Sequence, residues 1–127
     1  MSHAARSLMP FVFYLIGLGA MLIAAPNLLL GLFGLPPATE VWIRVVGMLA
    51  LILAFYYWMA ARFELQPLIR ATVFGRAAVI VFFTAFVVAG WAPPVLIVFG
   101  AVDLGAALWT AAGLKKDLAD DHQVLFS

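Results

Sequence analysis

Four long apolar runs, separated by short stretches of glycine, proline and charged residues, cover most of the chain. A helix needs about 20 apolar residues to cross the hydrocarbon core of a bilayer. Each run has roughly that length, and turn-forming residues follow it. The pattern therefore predicts an all-α membrane protein, a four-transmembrane-helix bundle with spans at residues 10–30, 39–63, 68–90 and 94–114.

The segments outside the four spans are short. We predict an N-terminal tail at residues 1–9 and a C-terminal cytoplasmic tail at residues 115–127. Neither is long enough to bury a core of its own, so the spans form one domain. The first apolar stretch exceeds the h-region of a signal peptide, and we expect it to remain as a membrane helix.

Composition excludes several classes of function. Hydrophobic residues make up 67% of the chain and charged residues 10%, which is too little polar surface for a soluble domain. The net charge of +1 gives no basic excess for binding nucleic acid. There is no cysteine, and His3 and His122 both lie in the predicted tails. We therefore predict no thiolate or histidine metal site and no catalytic residue, and the pattern indicates no particular cofactor.

The distribution of Lys and Arg predicts the orientation. Positive side chains concentrate in the N-terminal tail, the second loop and the C-terminal tail: Arg6, Arg62, Arg70, Lys115 and Lys116. Loops rich in Lys and Arg stay on the cytoplasmic side. We expect a multi-pass protein of the bacterial inner (cytoplasmic) membrane with both termini in the cytoplasm.

A weak internal similarity relates the two halves of the chain. Each half has an apolar span, a Gly/Pro turn at residues 33–37 or 90–94, and a second span with one early charge, Arg44 or Asp103. The halves are either two parallel repeats of a helical hairpin or an incidental match, because proline pairs are common in loops.

Asp103 is the most informative polar residue. It lies near the middle of the fourth span, where a carboxylate costs about 2.5 to 3.5 kcal/mol unless it is paired, protonated or in contact with water. Arg76 in the third span lies near the same depth, and we predict an ion pair between the two. Arg44 is a second candidate partner, although Glu40 one turn earlier competes for it.

Two interpretations of this pair remain open. It is either a structural ion pair that fixes which helix faces meet, or part of a binding site for a polar ligand or a proton. Thr72 shares a helix face with Arg76, and Thr110 shares one with Asp103. We expect these faces to line one cavity between the second, third and fourth spans, with the first span mainly supplying packing.

Aromatic and small residues add further candidates. Tyr56 and Tyr57 lie at about the depth of Arg76, but consecutive residues cannot share one helix face, so lipid contact is the alternative for each. Tyr14 has the same ambiguity. The fourth span is rich in Gly and Ala between residues 100 and 113, which favours either close packing within the chain or self-association into a homo-oligomer.

Arginine, glycine, tyrosine and acidic positions recur through the last three spans: Arg44–Gly47, Ala54–Tyr57, Ala60–Arg62, Arg76 and Asp103. This set resembles small four-helix bacterial membrane proteins of the DoxX-like superfamily, although the first span lacks a DoxX-like signature. The resemblance implies the four-helix fold. It also implies an association with a quinone-linked oxidoreductase, because the named member is a small membrane subunit of one.

Three hypotheses of function follow. The first is a bundle that binds or passes a small hydrophobic or amphipathic molecule, lipid-like or quinone-like, with Asp103 and Arg76 as polar anchors. The second is an accessory subunit of a larger membrane complex, since the chain is short and has no soluble domain. The third is a membrane enzyme acting on a lipid or quinone, for which Asp103 with a tyrosine is the one candidate acid-base set.

Overall fold

The computed structural model describes the backbone of residues 1–126 and the side chains of residues 1–121. Within that part of the chain the protein is helical, with five helices in the order α1 (His3–Ala24), α2 (Pro26–Leu32), α3 (Trp42–Arg62), α4 (Gln66–Val88) and α5 (Leu96–Phe126). Four of them, α1, α3, α4 and α5, are long and apolar enough to cross a membrane. The predicted four-helix membrane architecture is confirmed at that level.

The predicted N-terminal tail is wrong, because α1 begins at His3. Ser2 caps the helix, and its side chain accepts a hydrogen bond from the Ala5 N–H at 3.1 Å. The carboxylate of Asp117 accepts the N–H groups of His3 and Ala4, at 2.8 and 3.1 Å. These three contacts satisfy helix N-terminal donors that otherwise have no partner, and the two to Asp117 come from the far end of the chain.

The predicted first span of residues 10–30 is also wrong, since the helix breaks at Ala25. Pro26 has no N–H to continue the hydrogen-bond ladder, and it restricts the residue before it. Ala25 accordingly leaves the helical region, with φ −145° and ψ 63°. The chain restarts as α2, which changes direction and places its apolar side chains across one end of the bundle.

The second and third spans agree with α3 and α4 to within a few residues. Glu64, with φ 52°, reverses the chain between them. The hairpin before α5 is longer than the predicted three residues, because α4 ends at Val88 and α5 begins at Leu96. Gly90 has φ 79° in that turn, a value that glycine adopts without strain.

The predicted end of the last span at residue 114 is wrong as well. α5 continues through Lys115, Lys116 and Asp117 to Phe126. Lys, Leu and Ala residues of this segment are good helix formers, and the bonds from α1 to Asp117 hold the extension against the bundle. The side chain of His122 and residue Ser127 lie outside the described residues.

α1 is the central helix of the bundle, which corrects the expectation that the first span mainly supplies packing beside an interior formed by the other three. It packs against α3 on one side and α5 on the other, and α4 packs against α5. One buried cluster joins Ala4, Ala5 and Leu8 to α3 and α4, and a second joins Phe11, Val12 and Leu15 to α3.

Glycines permit the closest helix crossings. A Cβ atom at Gly19 of α1 would lie 2.7 Å from the Gly47 carbonyl oxygen of α3, and one at Gly47 would lie 2.8 Å from the Gly19 carbonyl oxygen. Gly113 of α5 meets the backbone of Ala4 in the same way, at 2.7 Å. Small residues let membrane helices approach until their backbones touch, which is the main source of packing where lipid offers no hydrophobic drive.

The small-residue strip of the fourth span is divided between two faces. Gly100, Ala107 and Gly113 are buried inside the bundle, so close packing within the chain is confirmed for this part. Ala101 and Gly105 are exposed, and a Cβ atom at Gly105 would meet nothing within 4 Å. Self-association through this outward face stays a prediction.

Candidate functional site

A buried polar cluster connects three helices, and we define it as Ser7, Thr72, Arg76 and Thr110. Arg76 of α4 is only 1% exposed. Its Nε donates to the Thr72 carbonyl oxygen at 3.1 Å, and its Nη2 donates to the hydroxyls of Thr72 at 3.1 Å and Thr110 at 2.8 Å. The Ser7 and Thr110 hydroxyls lie 2.6 Å apart. The polar cluster therefore fixes α1, α4 and α5 relative to one another.

Two aromatic rings lie beside the guanidinium of Arg76. Its Cζ lies 5.1 Å from the ring centroid of Phe11 and 5.8 Å from that of Tyr57. These two rings stack on each other with their centroids 5.5 Å apart. The faces of aromatic rings attract a cation, most strongly where water is excluded. The rings thus stabilise the positive charge of Arg76, which no carboxylate of the described residues contacts.

One donor of Arg76 is not used. The Nη1 atom is buried and has no hydrogen-bond partner among the described residues. A guanidinium carries five N–H donors, and a buried donor without a partner costs free energy. The polar cluster therefore holds its charge at a cost, and loss of any remaining acceptor is expected to raise that cost.

The predicted ion pair between Arg76 and Asp103 is wrong. Among the described residues no ion pair involves either side chain. Arg76 bonds instead to Thr110, which lies about two helical turns beyond Asp103 on α5, or about 10 Å along the axis. The depth estimate placed the two residues at a similar level, but the Arg76 side chain extends back along α4 to Thr72 and does not reach Asp103.

Asp103 lies on the wall of an apolar cavity of about 210 Å³. Helices α1, α3, α4 and α5 form its sides, and α2 with the following turn covers one end. The lining side chains are Tyr14, Leu15, Leu18, Leu22, Leu29, Leu30, Phe33, Leu35, Ile43, Phe83, Leu96, Phe99 and Asp103. Asp103 is the one charged residue of this set, and the hydrogen bonds of the described residues leave its carboxylate without a partner.

The cavity adjoins the polar cluster. Tyr14 lines the cavity, and its ring lies 5.5 Å from that of Phe11, one turn earlier on α1. Phe11 in turn covers Arg76. The ring of Phe11 therefore lies against both the guanidinium and the ring of Tyr14, and the two predicted anchors, Arg76 and Asp103, have different surroundings.

The predicted site residues divide into four groups, the last of which is Arg44 with Glu40. Thr72 joins Arg76, as expected from the helix face that they share, and Tyr57 joins through its ring. Thr110, expected on one face with Asp103, bonds to Arg76, so the two predicted faces do not line one cavity. Asp103 faces the cavity. Tyr56 is 53% exposed on the outside of the bundle and takes no part.

Arg44 and Glu40 do not pair, which corrects the second predicted interaction. Arg44 donates from Nη1 to the carbonyl oxygen of Ile23 beside the helix break at Ala25. Both charged residues line a separate, more polar pocket of about 550 Å³ between the α1–α2 break and the start of α3. Arg44 therefore stabilises the break, because it donates a hydrogen bond to a carbonyl group there.

Sequence reasoning missed the contributions of α1 to this region. Ser7 and Phe11 lie one turn apart, and Tyr14 and Leu18 continue the same face. The Ser7 hydroxyl and this spacing were the available signal, but an apolar helix with one serine gives little reason to choose that face.

The chain matches no family model, no curated protein and no solved structure. Inferences about its function therefore depend on its own residues.

Proposed function

We propose that this membrane protein binds or passes a small hydrophobic or amphipathic molecule in the cavity between its helices. The observation that carries the proposal is the apolar cavity of about 210 Å³ with a carboxylate on its wall. Ligand sites are typically apolar with a few polar groups that orient the ligand.

The size and lining of the cavity set the kind of ligand. Apolar cavities of about 150 Å³ are large enough to admit benzene, so this cavity accommodates one ring or a short branched chain. A charged residue inside a membrane bundle is expensive, and such residues commonly mark ligand or ion pathways. Asp103 meets that description, since it lines the cavity and no described residue neutralises it by contact.

Filling the cavity is expected to abolish binding. Leu18→Trp adds a bulky indole to the wall, and we expect saturable binding of a fluorinated tert-butylbenzene to weaken at least tenfold. Fluorine NMR of the protein in nanodiscs, compared with empty nanodiscs, measures this binding. Phe74→Trp is the control, because Phe74 is 77% exposed on the lipid-facing side of α4. Equal binding by both variants would contradict the proposal.

We also propose that both termini face the cytoplasm of a bacterial cell. The N-terminus, the α3–α4 turn and the end of α5 meet at one end of the bundle, where Ser2 N–H donates to Glu64 Oε1 at 2.6 Å. That end carries Arg6, Arg62, Arg70, Lys115 and Lys116, and positive loops favour the cytoplasmic side.

Single cysteines are expected to report this orientation, because the chain has none of its own. A membrane-impermeant maleimide applied to intact cells is expected to label Thr39→Cys at the α2–α3 connection. It is expected to label Asp121→Cys only after lysis, since Asp121 is exposed at the opposite end. The reverse labelling pattern would show that the termini face outward.

Membership of the DoxX-like superfamily and duplication of a hairpin stay proposals. The packing of α1 on α3 and of α4 on α5 supports the second, since each pair corresponds to one predicted hairpin.

A further inference from the structure

The cavity wall combines two kinds of group that recognise cations. Four aromatic side chains line it: Tyr14, Phe33, Phe83 and Phe99. The rings of Phe33 and Phe99 pack together with their centroids 4.8 Å apart. Asp103 supplies a negative charge among them. Aromatic faces beside a carboxylate are the usual surroundings of a bound organic ammonium group.

The positive charge of Arg76 does not occupy this position. Arg76 is absent from the cavity lining. Its Nε atom donates to Thr72 and its Nη2 atom to Thr110. The rings of Phe11 and Tyr57 lie beside its guanidinium. Asp103 consequently has no positive group within ion-pair distance among the described residues. The cavity itself therefore presents a single, negative charge.

Ligands of different charge meet this wall with different costs. A neutral apolar ligand removes water from the carboxylate and offers it neither a hydrogen bond nor a positive charge, which is unfavourable. An anion is repelled by Asp103 and by the negative faces of the rings. A cation compensates the carboxylate and also gains attraction to the rings, and both effects grow as water leaves the site.

We infer that the ligand of this cavity is a small organic cation, an amine or quaternary ammonium with a compact apolar body, held between the carboxylate of Asp103 and the surrounding aromatic rings. This inference rests on the proposed function and adds the chemical class of the ligand.

Two probes of nearly equal shape test the charge alone. Phenyltrimethylammonium and tert-butylbenzene differ in a central nitrogen or carbon, and therefore in one positive charge. The protein in nanodiscs is titrated with each, and each competes against fluorinated tert-butylbenzene in the fluorine NMR assay. We expect the wild-type protein to bind the cation at least tenfold more tightly than its neutral counterpart.

Substitutions of single residues test which side chains cause the preference for the cation. Asp103→Asn removes the charge with little change of shape, and we expect the preference to disappear while tert-butylbenzene still binds. Asp121→Asn is the matched control, since this carboxylate is exposed far from the cavity, and we expect the preference to stay. Phe83→Leu removes one ring and is expected to reduce the preference without reversing it, which provides a second test where Asp103→Asn does not fold.

Each contrary result has a distinct meaning. Equal affinity for the two probes would overturn the cation inference and leave the proposed function in place. Tighter binding of benzyl alcohol than of phenyltrimethylammonium would overturn it in favour of neutral hydrogen-bond donors. Saturable binding of none of these compounds would overturn the inference and the proposed function together. An undiminished preference in folded Asp103→Asn would remove Asp103 from the site.

Discussion

Gly19→Ala is expected to destabilise the bundle by about 1–3 kcal/mol, the usual cost of overpacking a closely packed core. The new Cβ atom would lie 2.7 Å from the Gly47 carbonyl oxygen and 2.8 Å from the Leu51 side chain. The first of these is backbone, which cannot rotate away, so α1 and α3 have to separate. Because α1 packs on both α3 and α5, this separation also disturbs the rest of the bundle.

Unfolding in mixed micelles of increasing SDS content measures the effect. Gly17→Ala is the control, since a Cβ atom there meets nothing within 4 Å although the residue lies only two positions away on the same helix. Gly47→Ala is expected to behave like Gly19→Ala, because it creates the same contact from the other side. Equal stability of the Gly17 and Gly19 variants would show that this crossing is looser than described.

Thr110→Val is expected to cost about 1.5–3 kcal/mol, the range for hydrogen bonds to a charged group. It removes the oxygen that accepts from Arg76 Nη2 at 2.8 Å and that lies 2.6 Å from the Ser7 hydroxyl. The Nη1 atom already has no partner among the described residues, so the guanidinium would lose an acceptor where water is excluded.

The same unfolding assay measures this loss. Thr84→Val makes the identical chemical change at an exposed position of α4 and is expected to be nearly neutral. Thr110→Ser keeps the hydroxyl and is expected to retain most of the stability. A Thr110→Val protein as stable as the Thr84→Val protein would mean that the polar cluster contributes no net stability.

The spans were predictable because their length and apolar content are set by the bilayer. The positions of the helix ends were less predictable. The start of α1 depends on Asp117, more than one hundred residues away, whose carboxylate accepts the N–H groups of His3 and Ala4. The capping residue Ser2 is visible in the sequence, but the role of Asp117 as an acceptor for the start of α1 is known only once α1 and α5 are packed together.

The site was predictable in part. Thr72 was grouped correctly with Arg76, because spacing along a helix fixes which residues share a face. Thr110 was grouped with Asp103, and it bonds to Arg76 instead. The pairing of Arg76 with Asp103 was wrong, since depth along the membrane does not determine in which direction a long side chain extends from its helix. An apolar helix has no strong polar face that indicates its inward side, which is also why the contribution of Phe11 was missed and the side faced by Tyr14 stayed open.

The position of a bound molecule tests the proposed function most directly. A photoreactive phenyl diazirine is added to the protein in nanodiscs, and the labelled residues are mapped by mass spectrometry with and without excess tert-butylbenzene. We predict competed labelling of cavity side chains such as Leu18, Phe83 and Phe99, and its loss in Leu18→Trp. Labelling confined to lipid-facing residues such as Phe74 and Val88, unaffected by the competitor, would contradict a ligand site inside the bundle.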